Sequence, residues 1–314
     1  MRADVGRRRA VALAAGLQLF APPLAPHAAV ALPHDTLTPR RKCLVAGATG
    51  RTGRRVVEQL AGVPSAFDVV AGVRSASAAA SRLPANTATL TFDLASDDTT
   101  SLVSDLAAAM QSSGVTDVIC AVGFSPTFVP DEDRRLALAV DYYGTLRLIA
   151  AAEAAKLSGR FVLVSSLGVN ATSSSAMLLD KSLGNVLVQK RAAEEALARS
   201  RLDWCIVRPG LLLKEAVQGG IVLGEADRFT GDAERDGMGL GAPVKCASPF
   251  LASSGAVCAA TRGQVAALCV EALDGDPQLF SRRVVEIVAR PEVDARAPAR
   301  GGNPHLIYKV APPL

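Results

Sequence analysis

Three glycines recur at a spacing of three, Gly47, Gly50 and Gly53, in the run CLVAGATGRTGRRVVEQLA. The run begins as an apolar, strand-like stretch and passes into a segment of helical periodicity, so the glycines fall on a strand-to-helix turn. Each has its own physical task there. Gly47 permits the tight turn, Gly50 lets the backbone approach a ligand, and Gly53 lets helix and strand pack closely. The first turn of the helix offers unpaired N–H groups and the positive end of its dipole, which together favour phosphate. Thr49 and Thr52 add hydroxyl donors. The chemistry these residues suit is a cradle for the diphosphate of a dinucleotide.

The next informative position lies at the end of the second apolar run, AGVRS. An NAD site places an Asp or Glu about 20 residues past the glycines, where it accepts hydrogen bonds from the ribose 2′-OH. Here that place belongs to Arg74. A cation there, helped by Arg51 in the glycine loop, suits a 2′-phosphate held by charge-assisted forked hydrogen bonds. NADP (NADPH) is therefore expected over NAD.

The elements that must position these residues follow from hydrophobic patterning. Short β-branched runs at 42–47, 67–73, 88–94, 116–122, 160–166, 203–209 and 283–289 lack polar alternation. Strands apolar on both faces are covered on both sides, the mark of a parallel sheet. Helical segments lie between them at 51–61, 76–82, 100–110, 133–156, 178–200 and 262–273. Repeated strand–helix–strand units predict an α/β fold with a doubly wound parallel sheet, as one domain over 41–290. The segment 214–260 breaks the rhythm, rich in Gly, Ser and Pro. It follows the sixth strand, so it reads as a substrate-side insertion or lid, a loop without consequence being the alternative. The Pro/Arg/Gly-rich stretch 291–314 reads as a loosely ordered tail.

The formal net charge is +4, yet its location matters more than its size. Residues 1–42 carry Arg2, Arg7, Arg8, Arg9, Arg40, Arg41 and Lys42 against only Asp4 and Asp35. The body is close to neutral, which argues against nucleic acid as a partner. Within residues 1–40, the Arg cluster, the short apolar stretch AVALAAGLQLFA, the prolines and HAAVA match a targeting leader. The apolar stretch is too short for the roughly 20 residues of a transmembrane span. A twin-arginine signal and an organellar transit peptide both fit. The reading favours a plastid, in stroma or thylakoid lumen, with bacterial periplasm or mitochondrion as alternatives. Cys43, Cys120 and Cys205 fall inside apolar runs and are expected as inert buried thiols. Cys246 and Cys258 could pair in an oxidising compartment. No spacing suggests a metal site.

Taken in order, GATGRTG, VR, FDL, VDYYGT, FVLVSS, KRAAEEAL and RPG resemble the atypical short-chain dehydrogenase/reductases, an NAD(P)-binding Rossmann group that includes NmrA-like regulators and several plastid proteins. The resemblance runs from Arg41 to Glu292. It implies that Asp93 and Leu94 lie at the adenine, and that Ala121, Val122 and Gly123 run along the ribose. It places Ser165 and Ser166 beside the nicotinamide, with Pro209 and Gly210 under its carboxamide. Active members of the wider superfamily use Tyr-x-x-x-Lys. Lys190 matches the Lys, which would hold the nicotinamide ribose, but Val186 stands where the Tyr belongs, and Asp141 takes the place of a structural Asn. Lys190 could instead be a helical lysine paired with Glu194.

Other acids are scarce. His27, His34 and His305 lie in the tails, Tyr142 and Tyr143 show no donor geometry from sequence, and Tyr308 would need the tail to fold back. Ser166 and Lys190 remain as catalytic candidates. Two functions are compatible with these residues. One is an NADPH-dependent oxidoreductase working without the usual tyrosine on a small molecule. The other is a non-catalytic NADP-binding module that senses redox state or assists assembly through a protein partner.

Overall fold

Runs that are apolar on both faces become strands of one sheet. The computed structural model describes residues 40–62, 67–170, 180–214, 220–226, 259–290 and 308–310. Its strands are β1 (Arg41–Ala46), β2 (Phe67–Val73), β3 (Ala88–Thr91), β4 (Asp117–Cys120), β5 (Arg160–Val164), β6 (Asp203–Pro209), β7 (Leu211–Leu213), β8 (Gly220–Gly224), β9 (Ala259–Thr261), β10 (Arg283–Arg290) and β11 (Tyr308–Val310). Nine of them form one sheet in the order β3-β2-β1-β4-β5-β6-β10-β8-β11, and β7 pairs with β9. Neighbours from β3 across to β10 run parallel, and β8 lies antiparallel to β10. The chain leaves β1 towards β2 and returns to β4 on its other side. That reversal opens a crevice at the carboxyl ends of β1 and β4, where sheets of this kind bind ligands.

Helices cover both faces: α1 (Gly53–Gly62), α2 (Ala76–Ala80), α3 (Thr99–Ser112), α4 (Pro130–Leu136), a π-helical segment (Ala137–Gly144), α5 (Thr145–Ala154), α6 (Val186–Arg199), α7 (Arg262–Asp274) and α8 (Pro277–Phe280). Alternation along β1 shows how the core divides. Cys43 and Val45 pack with Val56, Val57 and Leu60 of α1 and Val265 and Leu268 of α7. Leu44 and Ala46 face Leu106 and Met110 of α3 and Leu148 of α5. Among the described residues no helix is long and apolar enough to cross a membrane, and no cluster of His, Cys, Asp or Glu is suited to a metal ion.

Three segments differ from expectation. The helix expected over 133–156 contains the π-helical turn, placed where Gly144 lies so close to Leu94 that a Cβ would come within 3.2 Å of it. The helix expected from 178 is interrupted, and α6 starts only at Val186, because Gly184 (φ +74°) and Asn185 (φ +58°) both take the left-handed conformation. The stretch beyond 291 contributes β11, parallel to β8. Of the 214–260 segment, β8 joins the main sheet and β9 pairs with β7. Residues 1–39 of the expected 1–40 targeting segment, Cys246 and Cys258 lie outside the described residues.

Candidate dinucleotide site

The glycine loop is built by close approaches that side chains would block. Gly47 has φ +76°, and a Cβ on it would lie 2.8 Å from the Ala121 carbonyl oxygen. A Cβ on Gly53 would lie 2.2 Å from the Gly47 oxygen, so the first turn of α1 can press against β1 only without one. The Gly50 amide donates to the Gly47 oxygen at 2.9 Å, and the Ala48 amide donates to Gly72 at 3.2 Å, which ties the loop to β2. The result is a fixed platform at the amino end of α1.

Thr49, Gly50, Arg51 and Thr52 form one wall of a cleft of about 490 Å³ at the carboxyl ends of the strands. Ala121, Val122 and Gly123 after β4, Ser165 and Ser166 after β5, Pro209 and Gly210 after β6, and Lys190 of α6 complete it. These expected residues are thus brought together. Arg74 is exposed at the end of β2 and lies outside the cleft lining. Asp93, exposed, accepts from the Ala95 amide at 3.0 Å, and Leu94 is buried beside Gly144; neither lines the cleft.

Electrostatics single out Lys190. Its Nζ lies 2.9 Å from Asp141 Oδ1, and the Asp141 carboxylate is almost wholly buried. The other oxygen, Oδ2, accepts from the Phe124 amide at 3.0 Å. Burial works against the ammonium, but the Asp141 charge outweighs it and holds Lys190 above the ordinary lysine value. The π-helical segment carries Asp141 to this point, and such segments are frequent at functional sites. Val186 also lines the cleft, one turn before Lys190, and the described lining residues include no Tyr and no His. Ser166 Oγ donates to the Leu167 carbonyl at 3.0 Å. Ser165 Oγ is different: it is buried, borders the cleft and has no hydrogen-bond partner among the described residues. A buried hydroxyl of this kind costs free energy unless a ligand satisfies it.

Sequence reading missed several lining residues. Arg82, in the turn after α2, and Arg262, the first residue of α7, reach the cleft with no local signal. Phe124, Ser125 and Pro126 belong to the loop after β4, whose form depends on Asp133. Its carboxylate accepts from the Thr127 amide at 2.7 Å, the Thr127 hydroxyl at 2.8 Å and the Phe128 amide at 3.1 Å. Sequence reading gave Asp133 no role beyond the start of a helical segment, because its loop partners are reached across a turn. The buried thiols behave as expected: Cys43, Cys120 and Cys205 are buried and unpaired, and burial raises all three, Cys205 to about 12.

A glycine cradle, an open helix start and an orphaned hydroxyl in one cleft fit a dinucleotide, and with this strand order they define a Rossmann-type nucleotide-binding protein. The chain belongs to the NAD(P)H-binding family, whose description matches residues 47–238. An uncharacterised chloroplastic protein of Arabidopsis thaliana is 32% identical over 263 residues, covering 82% of this chain and 80% of that protein. Protein TIC 62 of Oryza sativa, also chloroplastic, is 37% identical over 199 residues; the match covers 58% of this chain but only 38% of TIC 62. The fold is shared with a putative NAD-dependent epimerase/dehydratase from Bacillus halodurans, at 23% identity and a TM-score of 0.57 over 80% of this chain and 94% of that one.

Proposed function

We propose that this chain is a plastid NADPH-binding protein that acts as an oxidoreductase on a small molecule. The observation that carries the reading is the convergence, in one cleft, of the glycine platform and a lysine kept charged by a buried aspartate. In this reading the platform amides and Thr49 and Thr52 hold the diphosphate. The Lys190 ammonium donates to the hydroxyls of the nicotinamide ribose, and Ser165 Oγ gains the partner it lacks. The bound cofactor would supply a hydride. With Val186 in place of a phenol, the proton would come from Ser166, whose side chain borders the cleft. Arg74 supports NADP: exposed at the end of β2, its guanidinium could meet a 2′-phosphate. The basic, apolar leader and the chloroplastic relatives support the plastid location.

Thermal melting tests the cofactor. NADPH should raise the Tm more than NADH, and Arg74→Asp should reverse the order; equal shifts in the wild type would remove the case for NADP. Turnover is tested by NADPH oxidation with a panel of quinones, enones and aldehydes, which Lys190→Ala should abolish. The absence of Tyr and His from the described lining supports a second reading, a non-catalytic NADP-binding module. Intact binding with no turnover on the panel would select it.

A further inference from the structure

A second cavity, of about 560 Å³, opens where α1 and α7 begin side by side. Its charged lining is Arg51, Arg54, Arg55, Lys214 and Arg262, with Glu58 the one acid among the described lining residues. Glu58 is already engaged, 3.5 Å from Arg54 Nε and 3.0 Å from Arg55 Nη1. Arg262 is oriented by a bond from Nη1 to the Leu213 carbonyl at 3.2 Å, and its other donors have no partner among the described residues. Arg51 and Lys214 make no hydrogen bond or ion pair with the described residues, so three cations face the space with no counter-charge of their own among those residues. The cost is visible in Arg262, whose guanidinium is held below its ordinary value by burial and by the charge of Arg51. At Gly263 the backbone is open: a Cβ there would find nothing nearer than Thr261 Oγ1 at 3.8 Å.

Position separates this cavity from the cofactor's own phosphates. Lys214 follows β7 and Arg262 follows β9, strands that pair with each other outside the main sheet, and Arg74 and the Ala121–Gly123 wall of the main cleft do not line this cavity. Arg51 and Arg262 border both cavities, and Leu211 and Leu212 continue from Gly210 along the wall of the main cleft. A molecule lying against these leucines beside the nicotinamide end would reach Arg262 with its far end.

We infer that this cavity is an oxyanion subsite that holds a carboxylate or phosphate group of the small-molecule substrate, distinct from the diphosphate cradle. The assignment of the anion to a substrate rests on the reductase reading; the subsite itself does not. A planar guanidinium and an ammonium converging on one space give charge-assisted hydrogen bonds to such a group.

The test is calorimetry on the full chain, without and with saturating NADP⁺, using inorganic phosphate and succinate as separate probes. One of them should bind saturably to the NADP⁺-loaded protein, and the tighter probe identifies the group recognised. Arg262→Gln should weaken that binding about tenfold or more. Lys214→Gln, a change at an exposed position, should weaken it in the same direction and carries the test if Arg262→Gln does not fold. The NADP⁺ Kd should move by less than about threefold in Lys214→Gln, which lies outside the cofactor cleft. Failure of both probes to bind, binding that vanishes once NADP⁺ is present, or binding indifferent to both variants would overturn the inference. Anion binding that depends on Arg262 in a protein without affinity for NADP⁺ would retain the subsite and overturn the cofactor reading.

Discussion

At the scale of single residues, the Lys190–Asp141 pair governs how the cleft responds to pH. Lys190 is held above the ordinary lysine value although burial alone would lower it. A base whose folded value is raised contributes its full stabilisation below the unfolded value and loses it as the pH climbs through the folded one. The wild type should therefore keep its Tm and its dinucleotide affinity flat from about pH 6 to 9, and lose stability only above about pH 10.4. Asp141→Asn removes the counter-charge and leaves the burial, so the direction reverses. The variant should lose about 3 kcal/mol at neutral pH and, with its folded lysine below the unfolded value, recover part of that loss as the pH rises towards about 10.4. Thermal melting of both proteins across pH 6–11 decides this; superimposable profiles would show that the ion pair does not set the charge of Lys190. Lys190 was legible from its place at the start of KRAAEEAL, and Asp141 as a departure from Asn. Their 2.9 Å contact was not, because it depends on a π-helical turn that no local pattern announces.

At the scale of elements, the joint between β1 and α1 is fixed by distances rather than by composition. A Cβ at Gly53 would sit 2.2 Å from the Gly47 oxygen, and backbone cannot yield as a flexible side chain does. Gly53→Ala should cost about 1–3 kcal/mol by overpacking and should abolish dinucleotide binding, since relief requires α1 to withdraw from the strand. Gly62, in the same helix, provides the contrast: a Cβ there would have nothing within 4 Å. Gly62→Ala should change stability by less than about 1 kcal/mol and leave binding intact. Parallel melts and titrations of the two variants separate a steric role from mere loss of flexibility. This joint could be read from sequence because its glycines mark a local turn. The start of α6 could not. A Cβ on Gly184 would meet the Asp133 backbone carbon at 2.5 Å, so the break before Val186 answers to a contact with a distant helix.

At the scale of the whole molecule, the parallel half of the sheet was legible and its far edge was not. The strands β1, β2, β4, β5, β6 and β10 each carry a short apolar run, such as CLVA, VVAGV or FVLV, a signal that survives without knowledge of its partner. The strands β8 and β11 are short, lie in Gly- and Pro-rich surroundings, and pair across more than eighty residues of sequence, so only the assembled sheet defines them. Their arrangement has a physical consequence. β8, with the sequence GIVLG, is an apolar strand with buried Ile221 and Leu223, and β11 covers the side of it that β10 does not. An uncovered apolar edge offers unpaired N–H and C=O groups to any other chain. A chain ending at residue 304 should therefore melt at lower temperature and self-associate with rising concentration more strongly than the full chain, as read by sedimentation velocity. Dinucleotide binding by the remaining monomer should persist, because β8, β10, β6, β5 and β4 separate β11 from the glycine platform after β1. Unchanged melting and sedimentation would mean that β11 does not protect the edge, and loss of binding with unchanged stability would place the tail in the cleft instead.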